Sequence, residues 1–146
     1  MIKRFTLLIV FAAIALTGCR SASQDSPPLA YLVTDSGLVD GFQSSYCWDQ
    51  GVGAALCVDM IEPYFEQTTA LPADAPIQFQ LDAPLPDTVT VSISKEVFGD
   101  TILSANLTPA DLVDWSPQVE PGEYILQVGA TWPQGDVSYW FSVSLE

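Results

Sequence analysis

Histidine is absent from the 146 residues, and four basic residues stand against 18 acidic ones. Without histidine, no Ser-His-Asp or Cys-His catalytic arrangement is possible, and the commonest metal ligand is missing. The charge imbalance gives a formal net charge of −14. A surface of that sign repels nucleic acid and anionic lipid headgroups, so neither is an expected partner. The acids are scattered rather than blocked, which suits a solvated surface. No Cys-x-x-Cys pair and no Asp-x-Asp-x-Asp-Gly loop occurs. Carboxylates for a two-acid glycosidase are plentiful, but nothing in the sequence selects a pair. The chain therefore reads as non-enzymatic, with no cofactor and no metal site. A calcium-stabilised structural domain is an alternative, because Asp35, Asp40, Asp49 and Asp59 lie in or near turns.

Long apolar runs are also scarce. The longest, Phe5 to Leu16, has about twelve residues, and spanning hydrocarbon takes roughly twenty. It follows Lys3 and Arg4 and leads into the small residues of Leu16-Thr17-Gly18-Cys19. Charge, apolar run, small residues and cysteine in that order resemble the signal and lipobox of bacterial lipoproteins. The resemblance implies that residues 1–18 are a removable signal peptide. It also implies that Cys19 is the first mature residue and carries a diacyl group on its sulfur. Two or three acyl chains give lasting attachment where one gives only marginal binding. The expected location is then the cell membrane or outer membrane, lipid-anchored and facing outside the cytoplasm. An ordinary secretory signal with a chance cysteine is the plainer alternative, but no better small-x-small site lies nearby.

Arg20 to Pro28 is small, polar and proline-ended, so residues 19–28 read as an acylated N-terminus and a disordered tether. Fully extended, that tether reaches roughly 30 Å. With Cys19 taken by lipid, Cys47 and Cys57 are the remaining thiols, and outside the cytoplasm an even pair is expected to oxidise. Gly51 and Gly53 between them allow the chain to reverse, giving a hairpin or tight loop clasped by a Cys47–Cys57 disulfide. The surrounding Ser-Tyr-Cys-Trp…Cys-x-Asp stretch is similar to a pattern in bacterial secreted proteins and carries no activity with it.

Residues 29–146 read as one domain. Leu29 to Thr34 is an expected first strand, stopped by Asp35-Ser36-Gly37, and Leu38 to Trp48 an expected second. Met60 to Pro76 reads as a connection. From Ile77 the chain alternates. Ile77, Phe79 and Leu81, then Val89, Val91 and Ile93, then Tyr124, Leu126, Val128 and Ala130, and finally Val137 to Leu145 mark strands with one buried face. Ile102 to Leu107 is a shorter strand, and Thr108-Pro109-Ala110-Asp111 starts like a helical turn. Pro133-Gln134-Gly135-Asp136 suits a type I turn with glycine at positive φ. About seven or eight antiparallel strands at this spacing predict an all-β, two-sheet sandwich. Pro121-Gly122-Glu123-Tyr124 resembles the corner before the penultimate strand of immunoglobulin-like folds, where a tyrosine hydroxyl ties back the loop.

The sharpest candidate binding residues are tryptophans. Trp140 falls on the face opposite Tyr139 and Phe141, where it either points outward or covers Gly129 on the preceding strand. Trp48, Trp115 and Trp132 sit at strand ends or in loops. Such residues pack over edges, or form a protein hot spot or a sugar-stacking platform. The expected function is a lipid-anchored, extracytoplasmic binding or structural module, attached through Cys19, with an envelope protein or a glycan as its partner. Alternatives are an accessory subunit of a membrane or envelope complex and a small hydrolase inhibitor presenting the clasped loop.

Overall fold

The computed structural model describes residues 25–51 and 53–146. The expected signal, the expected lipobox with Cys19 and the expected tether up to Gln24 lie outside the described residues. Among the described residues there is no helix, and eleven strands form two sheets. The strands are β1 (Ala30–Thr34), β2 (Gly37–Asp40), β3 (Phe42–Asp49), β4 (Ala55–Val58), β5 (Thr69–Leu71) and β6 (Ile77–Leu81). They continue with β7 (Thr88–Ser94), β8 (Thr101–Leu107), β9 (Leu112–Trp115), β10 (Gly122–Trp132) and β11 (Gly135–Leu145). The smaller sheet has the order β2-β1-β6-β9. The larger runs β4-β3-β11-β10-β7-β8, with β5 added in parallel to β11. Every other pairing is antiparallel.

The alternating residues do what their period requires. Ile77, Phe79 and Leu81 of β6 are buried, as are Val89, Val91 and Ile93 of β7 and the inward residues of β10 and β11. One continuous core joins both sheets. Phe79 of the smaller sheet meets Phe141 of the larger with ring centroids 5.8 Å apart. Two half-polar sheets bury their apolar faces only by stacking, so the sandwich follows from the pattern. Strands β1, β6 and β9 take the places of A, B and E in an immunoglobulin-like sandwich, and β8, β7, β10 and β11 those of C′, C, F and G. The corner is present: the Tyr124 hydroxyl donates to the Glu120 carbonyl at 2.6 Å.

Three expectations are corrected. Eleven strands replace seven or eight. Part of the excess arises because Leu38 to Trp48 is not one strand: it breaks at Gly41, with β2 in the smaller sheet and β3 in the larger. A Cβ on Gly41 would lie 2.7 Å from the Phe141 ring and 2.9 Å from the Ala30 carbonyl, so only glycine allows the crossing. The connection Met60 to Pro76 contains β5, which is three residues long and too short to show a period. Thr108 to Asp111 does not begin a helix. Leu81 N–H donates to the Asp111 carbonyl, so the β6–β9 pairing claims that backbone first.

At the N-terminus, Asp25 and Ser26 are exposed but Pro27 and Pro28 are buried. The buried Tyr139 hydroxyl donates to the Pro28 carbonyl. The domain therefore takes hold of the chain two residues before Leu29.

Candidate functional site

Trp48, Trp115, Trp132 and Trp140 are all buried, so none of them offers the exposed platform expected of the candidate binding aromatics. Trp48 and Trp132 stack edge to face with centroids 5.5 Å apart, and Trp132 Nε1 donates to the Pro84 carbonyl at 2.7 Å. Trp115 lies opposite Ile77 and joins the core. Their places near strand ends suggested exposure, but the strand register turns each one inward. Trp140 is different. It stays off the shared core, yet it is only 5% exposed. Phe98, from the β7–β8 connection, stands edge-on to its ring at 5.6 Å. It does not cover Gly129. A Cβ there would have only the Thr90 carbonyl near it, at 3.9 Å, and in the ladder Trp140 faces Gln127.

Trp140 instead lines a groove of about 640 Å³. The sheet explains its position. Along one edge of β11, the β3 ladder ends at Trp140 opposite Phe42, and the β5 ladder begins at Val143 opposite Thr69. Phe141 and Ser142 lie between these two ladders. The groove opens there, walled by residues 38–43 on one side and 64–67 on the other. Its apolar walls include Leu38, Phe42, Tyr64 and Phe65, and Asp40, Glu66, Gln67 and Ser142 supply polar groups. Tyr64 is 77% exposed. Two buried donors in the lining residues, Trp140 Nε1 and Gln43 Nε2, have no hydrogen-bond acceptor. A buried donor without a partner costs about 1–3 kcal/mol, so native folds keep few of them.

Beneath this site lies Tyr139. Burial raises its phenol pKa well above the ordinary tyrosine value, and the Asp82 carboxylate adds to the effect. The Gln43 side chain acts in the opposite direction and is the smallest influence, though Gln43 Nε2 makes no hydrogen bond of proper geometry. Tyr31 is raised by burial and then by Asp82, to which its hydroxyl donates at 3.2 Å, with Asp40 adding a smaller push.

Cys47 and Cys57 pair as expected. They form a disulfide across directly opposed positions of the β3–β4 hairpin. Gly51 and Gly53 both take positive φ in its turn, and Asp49 accepts from Gly51 N–H at 2.8 Å. Among the described residues no three acidic or sulfur side chains gather to hold a metal ion, so the calcium alternative has no cluster there to rest on.

The groove was not found from the sequence. Its nearest signal was Tyr64-Phe65-Glu66, an aromatic pair beside an acid in a stretch without period. A second hollow, over Gly129, holds about 490 Å³ and is lined by Ser45, Thr90, Gln127 and Ser138. Gln127 Nε2 already donates to Ser138 Oγ at 2.8 Å there. Comparison of the chain with protein-family models finds no match, and comparisons with curated proteins and with solved structures find none either.

Proposed function

We propose that the chain is a lipid-anchored, extracytoplasmic binding module that performs no chemistry of its own. The observation that carries this reading is the order Lys3-Arg4, apolar run, Leu16-Thr17-Gly18-Cys19. The Cys47–Cys57 disulfide supports it, since such bonds persist in oxidising compartments and are rare in the cytosol. So does the division of the chain into a short polar tether and a sandwich that grips it at Pro27–Pro28. The partner is an envelope protein or a glycan, and the groove beside Trp140 is where it binds.

The test is membrane fractionation of the full chain and its Cys19→Ala variant, with intact mass of each. The expected parent is a chain beginning at Cys19, heavier by its acyl groups, that gains two hydrogens on reduction. The variant is expected to leave the membrane fraction with its fold unchanged. An unmodified mass for residues 1–146 with free thiols would refute the reading.

A second reading, an accessory subunit of a membrane complex, is favoured by exposed apolar side chains at Leu56, Met60, Ile61 and Tyr64. Extraction in mild detergent without a stoichiometric partner would dismiss it.

A further inference from the structure

Building on the binding-module reading, we infer that the groove on the open edge of β11 takes a neutral saccharide. The argument starts from hydrogen-bond sign. Trp140 Nε1 is a buried donor without an acceptor, and Trp140 itself is 95% removed from solvent. A ligand that completes it must bring an acceptor oxygen. An ammonium or guanidinium group, which only donates, cannot. Asp40 and Glu66 line the same groove and accept only. A carboxylate or phosphate ligand would meet them with like charge. Sugar hydroxyls both donate and accept, so one ring can satisfy the indole while donating hydrogen bonds to the carboxylates.

The walls fit the same chemistry. A pyranose has an apolar C–H face, and Tyr64 offers a largely exposed aromatic ring at the rim. The volume of about 640 Å³ lies in the range of small-ligand sites and suits one or two sugar rings. The site needs no strand to move, because it lies where β3 and β5 leave Phe141 and Ser142 between their ladders.

The test follows the indole N–H resonances of the full-length chain in detergent micelles, with Trp140→Phe used to assign the Trp140 signal. The probes are cellobiose, lactose, mannobiose and N,N′-diacetylchitobiose, each added in turn. The expected result is a shift of the Trp140 signal by at least one of them, with Kd of about 1 mM or tighter. The signals of Trp48, Trp115 and Trp132 stay in place. Tyr64→Ala removes a ring at the exposed rim and should weaken binding about tenfold without altering the melting temperature.

Three results would overturn the inference. One is a Trp140 signal that no sugar moves, in which case water alone serves the indole. The second is unchanged affinity in Tyr64→Ala. The third is a Trp140 shift produced by an apolar peptide and not by sugars. A chain that stays lipid-anchored and ignores every sugar would sink this inference and leave the anchor intact.

Discussion

Tyr139 joins three separate segments of the chain. Its backbone lies in β11 opposite Gln43, its ring is fully buried, and its hydroxyl holds the Pro28 carbonyl at the start of the domain. Because burial raises its pKa in the folded state, the folded chain keeps this proton where the unfolded chain would lose it. The unfolded phenol ionises near pH 10. The stabilisation is therefore complete below about pH 10 and is lost as pH climbs from there through the folded value. One proton contributes a slope of about 1.4 kcal/mol per pH unit in that window. Tyr139→Phe should cost about 1–3 kcal/mol near neutral pH, because the Pro28 carbonyl loses its buried partner. Above pH 10 the variant should lose stability less steeply than the parent. Urea unfolding at a series of pH values measures both effects, and parallel alkaline losses in the two proteins would show that Tyr139 does not govern the transition.

At the scale of elements, β4 has little packing to hold it in the β3–β4 hairpin. β4 is an edge strand whose Ala55, Leu56 and Cys57 are exposed, so the core contributes little to keeping it in place. The disulfide does that work across a separation of ten residues. Replacing Cys47 and Cys57 together by Ser should lower the unfolding free energy by about 2–3 kcal/mol in the chain-entropy account. A denaturation midpoint unchanged by the double replacement, or by reductant on the parent, would mean that β4 frays without consequence. This hairpin is legible in the sequence because its signals are local: two thiols and two glycines. So are β6, β7, β10 and β11, whose period of two is set by the sheet each belongs to. What was not legible depends on distant contacts. Gly41 looks like any glycine within a strand until Phe141 and Ala30 press on it. Trp140 is expected on the outward face, free or covering Gly129, but its partner there is Phe98, more than forty positions earlier, which stands against its ring. The groove has the same origin: residues 38–43 and 64–67 meet only after β3 and β5 have both chosen the same edge of β11.

The whole molecule carries its charge unevenly. All 18 acids belong to residues 25–146, where Lys95 is the one basic residue. Even that cation is engaged locally: its Nζ lies 3.6 Å from the centre of the Tyr124 ring and donates to the Glu123 carbonyl. Folding packs these carboxylates onto one small surface, and the unfolded chain lets them spread. Their mutual repulsion therefore opposes the compact state. Salt weakens it, since the screening length falls from about 30 Å at 0.01 M to about 10 Å at 0.1 M and about 3 Å at 1 M. The melting temperature should thus rise by a few degrees between about 0.01 and 0.5 M sodium chloride, with most of the gain reached by about 0.1 M. Scanning calorimetry at fixed pH reads this directly. The shape of the curve matters as much as its sign. Screening saturates early, whereas a general salting-out of apolar surface keeps growing with concentration. A rise that continues linearly to high salt would assign the effect to apolar burial, and a flat or falling curve would mean that the acids are spaced widely enough not to oppose folding.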